Sequence, residues 1–256
     1  MKKTIKAIIF DIDGVLILGS KPIPGATKTI QLLQKNKFPF VMLTNTTLLS
    51  RENMAKKINR TLSVKVDKND ILTASSLTGD YLRQRTNNKS LILVEKSAMS
   101  EFDGIERNDD HPDFVVLGDF GNEINLDVLN KALRCLYKGA KLIAMQNDPY
   151  DLTEKGPILN VGSWTALFEK ASGKSAIIIG KPSVNAFKLA CAKFNINKKN
   201  IAVIGDSIEK EILPAKKLGL ISILVKTGVS NFEKKTTKEA DYIIDSIAEL
   251  PNLIRF

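Results

Sequence analysis

Short, continuous apolar runs alternate with helical patterns at both ends of the chain. Three segments have the 3.6-residue spacing of apolar positions that is typical of helices: 26–36, 183–195 and 208–219. The apolar runs lack polar alternation, as parallel strands do when both faces are covered, and they lie at 7–10, 40–43, 176–179, 201–205, 222–225 and 242–244. This order predicts an α/β fold with a doubly wound, Rossmann-like parallel sheet.

The middle of the chain has a set of elements of its own. Helices are predicted at 75–85, 126–139 and 163–172, and strands at 90–94, 113–118 and 141–146, with a turn-rich stretch at 147–160. We interpret this part as a second, smaller α/β unit inserted into the first. The expected segments are residues 1–74 for the first part of the core, 75–175 for the insertion and 176–256 for the second part of the core.

Composition and charge exclude several classes of protein. The 256 residues are 43% hydrophobic and 26% charged, and no apolar run approaches the ~20 residues that cross a bilayer. The net charge is +10, but the lysines are scattered and aromatic residues make up only 6% of the chain, so we expect no nucleic-acid partner and no membrane partner. The two cysteines lie in helical apolar contexts, and we expect reduced thiols and a cytoplasmic location.

Two carboxylates interrupt the apolar start of the chain, in the stretch KAIIFDIDGVLIL. Asp11 and Asp13 stand at the end of the first predicted strand, and their spacing of two places both side chains on one side of an extended chain. Gly14 then permits a sharp turn. Because two close carboxylates repel one another, a bound cation is the simplest reason for this placement. Mg²⁺ accepts such oxygen ligands.

Polar residues also follow later strands. The stretch LTNTT at 43–47 offers hydroxyl and amide groups, GKPS at 180–183 offers one ammonium group, and IGDSIEKE at 204–211 holds a carboxylate at a strand tip with Glu211 about one helical turn further on. In open α/β sheets, ligands bind outside the carboxyl ends of the strands. These residues are therefore expected to share one site with Asp11 and Asp13.

The ordered motifs resemble those of the haloacid dehalogenase (HAD) superfamily: DxD, then Ser or Thr, then Lys, then Gly-Asp with a later acid. The insertion between the Thr and Lys motifs is similar to that of subfamily IIA, which has a large α/β cap. Within this subfamily, the chain most resembles the group of phospholysine, phosphohistidine and inorganic pyrophosphate phosphatases. The stretches that carry this resemblance are GVLILGSKPIPGA, TNTT, KGPILNVGSWTALFEKASGK and IIGKPS.

The resemblance implies roles for the acidic residues. Asp11 would be the nucleophile that forms an aspartyl-phosphate. Asp13 would protonate the leaving oxygen and then act as the base for the hydrolytic water. Mg²⁺ would be held by Asp11, the main-chain carbonyl of Asp13, and Asp206. The family usually has Asp where this chain has Glu211, so we expect retained but slower chemistry.

The resemblance likewise implies how the phosphoryl group would be held. Thr44, Asn45 and Thr46 would bind its oxygens, and Lys181 would neutralise both the phosphoryl group and the nucleophile. In phosphoryl transfer, such positioning and charge stabilisation supply most of the catalysis. An acid at position 13 argues against carbon–halogen chemistry, because dehalogenases of the superfamily lack it.

The expected activity is Mg²⁺-dependent hydrolysis of a small phosphorylated metabolite or of pyrophosphate. Two alternatives remain open: a phosphotransferase, and a phosphate-binding or phosphoacceptor protein of low turnover. The oligomeric state is also open, with a homodimer as one option. The inserted cap is expected to cover the site and to recognise the leaving group.

Overall fold

The structure is a computed structural model that describes residues 3–121, 124–153, 156–228 and 239–255. Contacts between residues divide the chain into two compact units. Unit 1 comprises Met1–Thr44, Met54–Leu72 and Lys181–Phe256, and unit 2 comprises Asn45–Asn53 and Thr73–Gly180.

Unit 1 is built on a six-stranded sheet with the order β14-β13-β12-β1-β4-β5. Its strands are β1 (Ala7–Phe10), β4 (Phe40–Thr44), β5 (Ile71–Thr73), β12 (Ile201–Gly205), β13 (Ile221–Val225) and β14 (Tyr242–Ile244). The four pairings from β14 to β4 are parallel. All residues of β1, β12 and β13 are buried, which is why these strands are apolar apart from Ser222 of β13. A small antiparallel pair joins β2 (Ile17–Leu18) to β3 (Lys21–Pro22).

The α-helices of the core segments are α1 (Ala26–Lys35), α2 (Arg51–Leu62), α6 (Val184–Cys191) and α7 (Leu213–Lys217). A π-helical turn, Ile208–Ile212, precedes α7, and 3₁₀ turns lie at Lys68–Asp70, Lys198–Asn200 and Ile247–Asn252. In α1 the buried positions are Ala26, Thr29, Ile30 and Leu33. This spacing gives the helix one apolar face.

Unit 2 has a parallel sheet of four strands with the order β11-β8-β7-β6. The strands are β6 (Ser90–Leu93), β7 (Phe114–Leu117), β8 (Lys141–Ala144) and β11 (Ile177–Ile178). Its helices are α3 (Ala74–Arg83), α4 (Leu126–Tyr137) and α5 (Val161–Ser172), with a 3₁₀ helix at Lys96–Phe102. An antiparallel hairpin pairs β9 (Tyr150–Thr153) with β10 (Gly156–Leu159). Among the described residues, no helix has the length and apolar character needed to cross a membrane.

The α/β class with a parallel core sheet is confirmed, but two segments differ from the prediction. The run at 176–179, expected in the core sheet, supplies β11 of unit 2, because Ile177 pairs with Ile143 of β8. Residues 45–53, expected in the core, are grouped with unit 2, since the chain there hydrogen-bonds to the segment around Ser97. The domain boundaries themselves stay a prediction.

Candidate active site

The carboxyl ends of three neighbouring strands bring predicted site residues to one edge of the core sheet. Phe10 of β1 pairs with Ile204 of β12, and the Asp11 N–H donates to the Ile204 carbonyl over 2.9 Å. Asp11 and Asp206 therefore follow adjacent strand ends. On the other side of β1, Phe10 pairs with Met42 of β4, and β4 ends at the buried Thr44.

A buried ammonium group lies between two carboxylates. Lys181 Nζ is 2.6 Å from Asp11 Oδ1 and 2.7 Å from Glu211 Oε1, and its side chain is only 3% exposed. Burial opposes the charge of Lys181, but Asp11 and Glu211 outweigh burial and raise its pKa above the ordinary value. Asp11 Oδ1 also accepts the Ile12 N–H over 2.7 Å. The Asp11 carboxylate is thus fixed by two donors.

Three carboxylates meet at this point. Asp11, Asp206 and Glu211 are all buried, and one oxygen of each lies within 4.8 Å of the other two. When all three acids are ionised, they and Lys181 together have a formal charge of two negative. Burial raises the pKa of Glu211 to about 8, and repulsion from Asp11 and Asp206 raises it as well. These effects together outweigh the attraction of Lys181, which lowers the pKa. A divalent cation would balance this excess charge.

Two glycines make room for the carboxylate of Asp206. A Cβ on Gly14 would lie 2.3 Å from Asp206 Oδ2, and a Cβ on Gly228 would lie 1.8 Å from the same oxygen. Gly14 also has a φ of +83°, a conformation that favours glycine. The Thr227 hydroxyl donates to the Gly14 carbonyl over 2.6 Å. The Asp206 carboxylate therefore occupies space that a side chain at position 14 or 228 would fill.

Glu211 reaches the site from the π-helical turn. The Ser207 N–H donates to Glu211 Oε2 over 3.1 Å, while Oε1 faces Lys181. A Cβ on Gly205 would lie 2.3 Å from Glu211 Cγ and 2.4 Å from its Cβ. The absence of a side chain at position 205 therefore leaves the space that Glu211 occupies.

This donor set fits a hard divalent cation. Three buried carboxylates supply oxygen ligands only, which suits Mg²⁺ better than a thiolate- or imidazole-preferring metal. Formal charge points the same way, because Lys181 brings one positive charge to a group of three acids. The residues present are therefore suited to Mg²⁺.

The remaining predicted residues lie outside this cluster. Among the described side chains, the cluster takes one oxygen from each of three acids and none from Asp13. Asp13 is exposed and forms an isolated bridge with Ile17. Asn45 and Thr46 follow β4 directly but are grouped with unit 2. There, Asn45 Oδ1 lies 2.6 Å from where a Cβ of Gly180 would stand.

Glu211, which the sequence analysis expected near the site but gave no metal-binding or catalytic role, is a member of the cluster. Its position five residues after Asp206 was the available signal, because one helical turn returns a side chain to the strand end. The contact with Gly205 had no such signal, since a glycine ending a strand is equally compatible with a simple turn.

Two family models match this chain. Residues 8–106 match a family model described as haloacid dehalogenase-like hydrolase, and residues 178–250 match a second, HAD hydrolase-like model. The two matches contain Asp11 and Thr44 in the first and Lys181, Asp206 and Glu211 in the second.

Similar proteins carry phosphatase names. Ribonucleotide monophosphatase NagD of Escherichia coli K12 is 30% identical over 251 residues, covering 96% of this chain and 98% of NagD. Acid sugar phosphatase of Staphylococcus epidermidis is 26% identical, covering 93% of this chain and 92% of that protein. The structure of p-nitrophenyl phosphatase from Archaeoglobus fulgidus aligns with a TM-score of 0.90 at 26% identity, over 98% of this chain and all of that one.

Proposed function

The chain belongs to the haloacid dehalogenase-like hydrolase family, in subfamily IIA, and we propose that it hydrolyses small phosphate monoesters through an aspartyl-phosphate on Asp11. The observation that supports this proposal best is the arrangement of Lys181, whose ammonium contacts both Asp11 and Glu211 beside Asp206. A nucleophilic carboxylate needs such a neighbour, because it must approach an anionic phosphate.

Asp11 and Asp13 carry out the two halves of the proposed reaction. An oxygen of Asp11 forms a bond to phosphorus as the bond to the leaving oxygen breaks, and Asp13 supplies the proton to that oxygen. In the second half, Asp13 accepts a proton from water, whose oxygen attacks phosphorus and releases Asp11. Exposure of Asp13 supports this role, since a group that exchanges protons with water and leaving group must be accessible.

Fixed charge then stabilises the transferring group. Lys181 is held by two carboxylates, so its ammonium needs no rearrangement when charge develops on the phosphoryl oxygens. Thr44, Asn45 and Thr46 donate hydrogen bonds to the same oxygens. When bound by Asp11, Asp206 and the Asp13 carbonyl, Mg²⁺ would neutralise part of the negative charge shared by nucleophile and substrate.

The names of similar proteins support a substrate class for this chain. The similar proteins are named ribonucleotide monophosphatase, acid sugar phosphatase and p-nitrophenyl phosphatase, and these names favour small phosphate monoesters. The narrower resemblance to pyrophosphate and phosphoramidate phosphatases stays a prediction. A panel of sugar phosphates, nucleoside monophosphates, phosphoramidates and pyrophosphate would rank these classes by kcat/KM.

The decisive experiment is steady-state hydrolysis of p-nitrophenyl phosphate with Mg²⁺ and with EDTA. We expect sustained turnover with Mg²⁺, loss of turnover in EDTA, and no turnover in Asp11→Asn despite an unchanged circular dichroism spectrum. Asp109→Asn, which removes an exposed ion pair with Lys131, is the matched control and should retain wild-type rates. A burst of one equivalent of nitrophenol would instead indicate a phosphoacceptor, and phosphate transfer to an added alcohol would indicate a phosphotransferase.

We further propose a cytoplasmic location. Both cysteines, Cys135 and Cys191, are buried free thiols, which is usual where thiols are kept reduced. A homodimer stays a prediction, which sedimentation of the purified protein would decide.

A further inference from the structure

The loop that follows β4, residues 45–50, is hydrogen-bonded to a short helix of unit 2. The 3₁₀ helix Lys96–Phe102 contacts this loop near both of its own ends. The Ser97 hydroxyl donates to the Leu48 carbonyl, and the Ser97 carbonyl accepts the Ser50 N–H over 3.1 Å and the Asn53 side-chain amide over 3.2 Å. At Leu48 and Ser50 the loop is thus held through its main-chain atoms.

Two further bonds fix the middle of the loop. The Ser75 hydroxyl donates to the Leu49 carbonyl over 3.1 Å, and the Asp119 N–H donates to the Thr47 hydroxyl over 3.1 Å. Ser75 and Thr47 are buried, so these bonds are shielded from competition with water. The start of the loop is constrained as well, because the Asn45 side chain lies against Gly180, the residue before Lys181.

The most strongly held point is the end of the loop, where Glu101 meets Arg51. Glu101 Oε1 accepts the Arg51 N–H over 2.6 Å, and Oε2 accepts the Arg51 Nε–H and lies 3.0 Å from Nη2. The side chain of Glu101 is 6% exposed. A buried carboxylate is tolerated only with such partners, and here it also faces the first turn of α2, where negative charge is favoured.

The main chain of Glu101 is itself fixed. Its carbonyl accepts the Arg83 Nη1–H over 3.0 Å, and a Cβ on Gly79 of α3 would lie 2.1 Å from that carbonyl oxygen. The main chain of Glu101 therefore cannot move easily when the loop moves. Its position thus limits the positions that Arg51 and the loop can take.

From these contacts we infer that Glu101 is a positioning residue for hydrolysis, which acts by holding Arg51 and thereby fixing loop 45–50, so that Asn45 and Thr46 are held in place for the phosphoryl group. This inference rests on the proposed phosphatase activity and on the assigned roles of Asn45 and Thr46. Glu101 itself is not expected to contact substrate. Its effect should fall on kcat, because donors that stabilise the transferring phosphoryl group must be in place before the reaction.

The test combines kinetics with hydrogen exchange in the full-length chain. Glu101→Gln keeps an acceptor for the Arg51 N–H but loses the charge, and should lower kcat for p-nitrophenyl phosphate about tenfold with KM changed less than about threefold. Glu101→Ala should lower kcat further. Arg51→Ala should match Glu101→Ala, and the double variant should be no slower than either single variant, because the two residues act as one unit. Asp109→Asn is the control and should match wild type.

Hydrogen exchange decides the inference independently of turnover. Amides of residues 45–53 should exchange faster in Glu101→Gln and Glu101→Ala, while amides of β7 and β8 keep their wild-type protection, which also shows that the variants are folded. Unchanged exchange in 45–53, or wild-type kcat in both Glu101 variants, would overturn the inference. A wild-type protein without Mg²⁺-dependent turnover would overturn the proposed function instead, and the exchange result would still stand.

Discussion

Lys181 carries one positive charge at a point where three buried acids meet. Its ammonium is within 2.7 Å of carboxylate oxygens of both Asp11 and Glu211, so neither acid faces the other without compensation. Removal of one partner from a buried ion pair usually destabilises a protein more than the pair stabilises it, since a charge is left without a partner. Lys181 should therefore both stabilise the folded protein and take part in the proposed hydrolysis.

Lys181→Met should lower the free energy of unfolding by about 3 kcal/mol in the absence of Mg²⁺ and abolish hydrolysis. Addition of Glu211→Gln should restore part of the stability, because one of the repelling charges is gone, without restoring activity. Urea unfolding measures both effects. The matched control is Lys216→Met, whose exposed pair with Glu239 should contribute less than about 1 kcal/mol. Equal losses in the two methionine variants would contradict this account.

Gly205→Ala tests the space that Glu211 occupies. An added Cβ would stand 2.3 Å from Glu211 Cγ and 2.8 Å from Oε2, so the glutamate must shift away from Lys181. We expect a destabilisation of about 1–3 kcal/mol from overpacking. A loss of kcat on the order of 10²-fold should accompany it. A variant with wild-type kcat and stability would show that Glu211 is not fixed by this contact.

The sequence was sufficient to place three predicted site residues at strand ends. Asp11, Thr44 and Asp206 each follow an apolar run, and the rule for parallel sheets brings such positions to one edge. Glu211 could be placed one turn beyond Asp206, but its contact with Gly205 depends on a π-helical turn that residue spacing does not reveal. Glu101 had no local signal, because its partner Arg51 is 50 residues away in the chain.

At the scale of elements, the edge of the core sheet is joined by side chains as well as by strand pairing. Asp241, just before β14, accepts both the Ser222 N–H and, more weakly, its hydroxyl, and contacts Lys3 Nζ at 2.6 Å. Burial opposes the charge of Asp241, but the Lys3 and Ser222 donors outweigh burial and hold its pKa below the ordinary carboxyl value.

Asp241→Asn should therefore lower stability by about 1 kcal/mol at neutral pH. The folded pKa is below the unfolded value of 3.8, so the contribution of Asp241 is complete above that value and is lost as the pH falls through the folded pKa. The stability difference between wild type and variant should thus be constant from pH 7 down to the unfolded pKa of 3.8 and should shrink below it, so the unfolding curves are compared down to about pH 2. Asp245→Asn is the control, because Asp245 is 77% exposed and should contribute little at any pH; a difference independent of pH for Asp241→Asn would contradict the assignment.

The pattern of elements was largely readable from the chain. Buried parallel strands such as β1 and β12 are apolar throughout, and this signal does not depend on the rest of the fold. The run at 176–179 has the same signal but pairs with β8 of unit 2, because periodicity identifies a strand and not the sheet that it joins. The helix predicted at 208–219 is divided in the structure into a π-helical turn and α7, which begins beside Pro214.

At the scale of the whole molecule, the net charge of +10 should attract anionic substrates. Electrostatic steering acts on the rate of encounter and is screened by salt, with a Debye length of about 10 Å at 0.1 M. We expect kcat/KM for p-nitrophenyl phosphate to fall several-fold between about 20 mM and about 300 mM sodium chloride at fixed Mg²⁺, with kcat nearly constant. A flat response would mean that the lysines only solvate the surface.

The central claim is that one divalent ion joins acids from separate strand ends into a reactive site. Diffraction from crystals grown with Mn²⁺ in place of Mg²⁺ tests it most directly, because the anomalous signal locates the metal without reference to activity. We predict one strong anomalous peak bonded to carboxylate oxygens of both Asp11 and Asp206. A map with no peak between these two side chains, at a Mn²⁺ concentration that supports turnover, would contradict the account.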